Sequence, residues 1–204
     1  MSKLRVAILA STNATSSQQL IIETQAGKIP AEVVCFISNK ADSGALARAG
    51  QNNIEAIFIN GTGKSREEFD RELIRVLAEK KIDLVLLIGY MRFLSKSFVD
   101  AWGNKTMNIH PSLLPAFAGG MDKNVHEEVL KAGVKKTGCT LHFITEQADA
   151  GPIILQQEVD VASDETVESL KNKVQAAEQD VICRAVRLFA EGKINVVDGQ
   201  VVIK

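Results

Sequence analysis

Short apolar runs alternate with amphipathic stretches along the first hundred positions. Leu4 to Ala10 (LRVAILA), Ala31 to Ile37 (AEVVCFI), Ile54 to Ile59 and Asp83 to Ile88 (DLVLLI) are brief and nearly continuous in branched or apolar residues. Strands covered on both faces carry that pattern. Gln18 to Gln25, Ser43 to Ala49 and Ser65 to Lys80 lie between them and read as helices. Ser65 stands three positions before Glu68, the spacing at which a cap side chain and the third helical residue satisfy each other's backbone N–H. Strands alternating with helices predict an α/β fold, Rossmann-like, with a mostly parallel twisted sheet, right-handed crossovers and helices on both faces.

The pattern changes past position 100. A short helix from Ser95 to Trp102 precedes a strand at Met107, Phe117 to Asp122 forms a loop, and Asn124 to Ala132 is helical. Thr137 to Ile144 and Pro152 to Val159 are strand-like runs joined by a turn that holds Asp149, which predicts an antiparallel extension of the sheet. Asp164 opens a long C-terminal helix to about Ala190, with Val167, Leu170, Val174, Ala177, Val181 and Val186 at helical spacing. Ile194 to Val197 and Val201 to Ile203 flank Asp198-Gly199 and predict a hairpin. No repeat, linker or low-complexity segment divides the 204 residues, so the expectation is a single domain over 1–204.

A 46% hydrophobic and 24% charged composition suits a soluble globular chain, and no apolar run reaches a spanning length. Cytoplasmic location follows as the expectation. A net charge of −1 provides no broad basic field for a nucleic-acid backbone, so the expected partners are small molecules rather than nucleic acid or membrane. Cys35, Cys139 and Cys183 are far apart, without the paired spacing of a zinc site or disulfide framework. Cys139 has no evident base among its neighbours to make it a nucleophile.

Candidate chemistry concentrates in Met107-Asn108-Ile109-His110-Pro111-Ser112-Leu113-Leu114-Pro115. Asn108 and His110, two apart on an extended segment, point to one face. An amide and an imidazole there suit a developing oxyanion. Alone, such a pair more often satisfies backbone groups. A second segment, Leu141 to Pro152, strengthens the chemical reading: it holds His142 and places Asp149 in a Gly/Pro turn, and a carboxylate meeting His110 would orient it and favour its charged form. The polar loop Ser11 to Ser17 runs from strand to helix and could cradle a phosphate on free N–H groups, although without a glycine an N-capped helix explains it equally well. This loop, Gly89 to Arg92 and Asn108 to His110 all fall at carboxyl ends of strands, where such sheets bind ligands. Gln175 and Glu178 lie three apart on one side of the long helix, by default a solvated face. His126 is expected at the surface or in a cap.

The segments GYMRFLS, MNIHPSLLPAF, TGCTLHF and ADAGPIILQ together resemble the folate-dependent formyltransferase family, from the first strand to the long C-terminal helix. The resemblance implies transfer of a formyl group from 10-formyltetrahydrofolate, as co-substrate, to an amine. In the family's purine-synthesis branch the amine belongs to glycinamide ribonucleotide. By motif, Asn108, His110 and Asp149 would be catalytic, with no metal and no covalent intermediate. Asn13, Ala14, Thr15 and Ser16 would hold the ribonucleotide phosphate together with Arg66, and Glu178 the glycinamide part. Met91, Arg92, Phe93 and Leu94 would line the folate pocket, with Thr137, Gly138, Cys139 and Thr140. The phosphate-binding half would run to about residue 105, and the catalytic and folate half from about 106.

Two departures stand out. Ala14 and Ser16 replace a glycine and an asparagine of the family's Asn-Gly-Ser-Asn loop, and Phe117 to Asn124 differs from the family's proline-glycine-histidine sequence. At 204 residues the additional domains of the tRNA-directed or deformylating relatives are not expected. An acceptor that is an amino sugar nucleotide, or a silent folate- or nucleotide-binding relative, are the competing readings, and a monomer or homodimer is expected.

Overall fold

The computed structural model describes residues 2–119 and 125–204. The segment Gly120 to Asn124, including part of the sequence-predicted loop and helix start, lies outside the described residues. Among the described residues, seven strands form one sheet: β1 (Leu4–Leu9), β2 (Ala31–Ser38), β3 (Glu55–Phe58), β4 (Leu84–Leu87), β5 (Thr106–His110), β6 (Lys136–Phe143) and β7 (Ile153–Asp160). Their order across the sheet is β3-β2-β1-β4-β5-β6-β7. The first five are parallel, while β6 runs antiparallel to both its neighbours. The chain thus travels outward from β1 to β3, then returns to lay β4 on the other side of β1. That reversal leaves a crevice at the carboxyl ends of β1 and β4.

Helices α1 (Gln18–Gln25), α2 (Gly44–Gln51), α3 (Arg66–Glu79), α4 (Lys96–Trp102), α5 (Val125–Ala132) and α6 (Val167–Ala190) cover the sheet. Alternation along β1 divides the core. Val6 and Ile8 join a cluster with Leu20, Ile21 and the inner face of α6, whereas Ala7 and Leu9 join Phe69, Leu73, Leu77 and Phe98 beneath α3 and α4. This two-sided burial accounts for the continuous apolar runs.

The ends of these elements have physical causes, and one differs from its prediction. Ser65 caps α3, its hydroxyl accepting from the Glu68 N–H while the Glu68 carboxylate accepts from the Ser65 N–H. Helix α6 starts later than Asp164 suggested: Thr166 caps it in a reciprocal box with Ser169, leaving Asp164 outside. Asp198 and Gly199 both have positive φ, as the tight β8–β9 hairpin (Ile194–Val197, Gln200–Ile203) requires.

Candidate active site

A cleft of about 460 Å³ opens at the sheet reversal. Its walls come from the loop after β1, the loop after β4, the end of β5, the turn before β7, and the inner faces of α5 and α6. Ser11 fastens the first two: its hydroxyl donates to the Asn39 side-chain oxygen at 2.6 Å and accepts from the Met91 N–H at 2.8 Å. Gly89 has φ 64° and packs against Thr12, so a side chain there would collide with the Thr12 hydroxyl.

The predicted trio is brought together. Asn108 and His110 point from β5 to the same face, and Asp149 reaches them from the turn between β6 and β7, where its own backbone is left-handed at φ 53°. Asp149 Oδ2 stands 3.4 Å from His110 Nδ1, and Oδ1 accepts from Asn108 Nδ2 at 3.4 Å. The other nitrogen of His110, Nε2, meets the Phe117 carbonyl at 3.0 Å. Both ring nitrogens of His110 therefore face acceptors, an arrangement that an imidazolium fills with two N–H groups. The Gly119 N–H also donates to Asp149 Oδ2, at 3.0 Å.

His142 is a fourth member that residue spacing alone left without a role. Antiparallel pairing places it directly opposite Asn108. Its Nδ1 lies 2.8 Å from the Phe143 carbonyl and its Nε2 lies 3.1 Å from Asn108 Nδ2. Nε2 is also 3.6 Å from Asp149 Oδ1. The hydrogen bond from His142 is the largest cause holding the Asp149 carboxyl below its usual range, followed, among the lowering influences, by the Gly119 N–H and the charge of His110; burial opposes them. Gly151 closes this turn, because a Cβ there would sit 1.7 Å from the Phe143 carbonyl oxygen.

At the opposite end of the cleft, Asn13, Ala14, Thr15 and Ser16 line the wall as expected. Thr15 to Ser17 form a single 3-10 turn leading into α1. Ser16, however, directs its hydroxyl to the Glu178 carboxylate rather than into open space, and both residues are buried. Burial raises the Glu178 carboxyl to about 7, against the lowering pull of the Ser16 hydrogen bond and of Lys171. Gln175 and Glu178 both face the cleft, so this side of α6 is not a solvated face. His126 corrects the expectation of a surface position: it is 8% exposed and lines the cleft from α5, and its buried Nδ1 has no hydrogen-bond partner among the described residues. Burial, then the nearby Lys171, lowers its tendency to take a proton.

Met91, Arg92, Phe93 and Leu94 also line the cleft. The Arg92 guanidinium lies over the Phe69 ring, 4.1 Å from its centroid, and Gly61 leaves space for it. Arg66, at the start of α3, is not part of the lining; its guanidinium is 5.8 Å from the centroid of Phe93. Nor do Thr137, Gly138, Cys139 and Thr140 reach the lining: they sit inside β6 between β5 and β7. There Thr140 accepts from the Leu114 N–H and donates to the Ser112 carbonyl, bracing the chain that follows His110. Burial raises the Cys139 thiol to about 12, which leaves it unreactive near neutral pH.

Fold and cleft together define an α/β protein of the doubly wound class, with a ligand crevice at its strand reversal and an amide–imidazole–carboxylate cluster at one end of it. The chain belongs to the formyl transferase family, whose sequence profile matches residues 4–186. It is 34% identical over 195 residues to a phosphoribosylglycinamide formyltransferase of Haemophilus influenzae, covering 95% of this chain and 91% of that one. It is 44% identical to a trifunctional purine biosynthetic protein adenosine-3 of Bos taurus, over 95% of this chain but only 19% of that protein, so the chain spans about a fifth of that relative's length. Among solved structures, a glycinamide ribonucleotide transformylase 1 of Symbiobacterium toebii superposes with a TM-score of 0.93 at 38% identity, covering 99% of this chain and 94% of that one.

Proposed function

We propose that the chain transfers the formyl group of 10-formyltetrahydrofolate to the amino group of glycinamide ribonucleotide, a step of purine synthesis. The observation that carries this reading is the convergence of Asn108, His110 and His142 on the single carboxylate of Asp149, at one end of a cleft whose other end is a hydroxyl-rich loop. The amine nitrogen attacks the formyl carbon, forming the new C–N bond while charge collects on the formyl oxygen. His110 Nε2, now bonded to the Phe117 carbonyl, turns its N–H to that oxygen when substrate enters, and Asn108 gives up its long contact with Asp149 to do the same. The proton lost by the amine passes by way of Asp149 and water to the folate nitrogen, whose bond to the formyl carbon then breaks.

The ribonucleotide phosphate is assigned to Asn13 through Ser16, with Arg66 at the margin, and the glycinamide part to Glu178. The folate is assigned to Met91 through Leu94. The run Thr137 through Thr140 supports this pocket from behind, through Thr140 and the Ser112 to Leu114 chain. In this reading residues 1 to about 105 carry the phosphate end and the remainder the chemistry, within one domain. The enzyme works on small soluble substrates in the cytoplasm as a monomer or homodimer. Among the described residues no helix is long and apolar enough to cross a membrane.

A steady-state assay with purified chain, 10-formyltetrahydrofolate and glycinamide ribonucleotide tests the reading. Formyl loss that stops when the ribonucleotide is omitted is the expected result. Folate binding without turnover, or turnover only with an amino sugar nucleotide, overturns it.

A further inference from the structure

Helix α2 is the template for the loop after β1. Its first turn supplies the Ala45 N–H to the Thr12 carbonyl at 3.0 Å, and its Gly44 leaves the space that the Asn13 side chain fills. One turn further on, Arg48 Nε donates to the Asn13 carbonyl at 3.0 Å while Nη1 donates to the Gln18 side-chain oxygen at 2.6 Å. The guanidinium fork thus joins α2, the loop and the start of α1.

Immediately after the clamped carbonyl comes Ala14, with φ 47° and ψ 41°. A left-handed backbone is unfavourable for alanine, whose Cβ crowds the next carbonyl, and it persists only where the surroundings fix it. Ala14 is 2% exposed, and its own carbonyl is held by the Ser17 N–H at 3.0 Å and the Ser17 hydroxyl at 2.7 Å. A left-handed residue turns successive N–H groups toward one side, the geometry of an anion nest.

We propose that Arg48 is a positioning residue for ribonucleotide binding: by clamping the Asn13 carbonyl it holds Ala14 in the left-handed conformation that shapes the cradle. The proposal rests on the assignment of the acceptor's phosphate to Asn13 through Ser16. Arg48 is partly exposed on α2 and lies outside the cleft lining, so its guanidinium acts through the loop rather than on the substrate.

Arg48→Met keeps the apolar stem and removes the fork. Steady-state kinetics with both substrates, and residue-resolved hydrogen exchange at the Ser17 amide of the ligand-free protein, read the two halves of the proposal separately. We expect the KM for glycinamide ribonucleotide to rise about tenfold, the Ser17 amide to exchange about tenfold faster, and the KM for the folate to stay within about twofold. Adding Ala14→Gly to Arg48→Met returns both altered values to within about threefold of the parent, because glycine adopts the left-handed form without the clamp. Gln18→Leu, which removes the other, part-buried anchor of the fork, shifts both in the same direction by less. Unchanged Ser17 exchange, or a defect that glycine does not relieve, overturns the clamp. Exchange that shifts and recovers while the ribonucleotide KM never moves overturns the link to binding, yet leaves formyl transfer standing if the parent enzyme turns over.

Discussion

The two ends of the cleft are built by different means. At the β5 end, ionisable and amide side chains gather around the Asp149 carboxylate, and backbone serves mainly to aim them. At the β1 end, apart from the Ser16–Glu178 pair, the wall is a loop of small residues whose shape is set by packing and main-chain hydrogen bonds. Charge that appears only in a transition state calls for donors and a carboxylate placed at the reacting atoms. A phosphate that is charged throughout calls only for a fixed concave surface. Loss of one side chain should therefore damage rate at the first end and affinity at the second.

The largest effects are expected at the β5 end. His110→Ala and Asp149→Asn should each lower kcat by roughly two to four orders of magnitude with little change in ribonucleotide KM. Near-parental kcat in either variant would remove the contrast along with the mechanism. His142→Ala should cost about ten- to a hundredfold in kcat, the size seen when a group that orients a reacting residue is lost. A change confined to KM would move His142 from the chemistry to binding.

Glu178 belongs to both regimes, a carboxylate set among the small residues. Folded, it keeps its proton up to about 7; unfolded, it loses it near the ordinary 4.5 of a glutamate. The folded state thus binds more protons between these values, so this group lowers stability as pH climbs from about 4.5 to 7, by about 3 kcal/mol at most. Glu178→Gln should raise the ribonucleotide KM about tenfold and yet melt several degrees higher than the parent at pH 8, with the gap closing at pH 5. Equal melting temperatures at pH 8 would contradict the burial argument. Smallest of all, Cys139 is buried inside β6 with its thiol raised to about 12, so iodoacetamide at neutral pH should leave both Cys139 and turnover intact. Alkylation of that residue in the native protein would mean that β6 opens.

Most of the N-terminal half was legible in the sequence because strands buried on both faces announce themselves as unbroken apolar runs; the reversal between β1 and β4 was not, since strand order is set by packing across the sheet. The meeting of Asn108, His110 and Asp149 was legible as residue types two apart on a strand and a later acid in a turn. The role of His142 was not, since only the β5–β6 register sets it against Asn108, and register depends on pairing across the sheet. The four residues Thr137 to Thr140 were expected in the folate pocket, but placing them required knowing that β7 covers that side of β6. The left-handed turn at Ala14 was hidden for a different reason: alanine rarely adopts it, and the residues that impose it lie on α2, more than thirty positions away.

The hydroxyl of Ser11 ties the loops after β1, β2 and β4 at a single oxygen. For anyone redesigning this scaffold, that makes the cleft walls after β1 and β4 one module. A loop transplanted at the first wall should travel with Asn39 and the Met91 backbone it is knotted to, or the second wall will shift under a graft meant only for its neighbour.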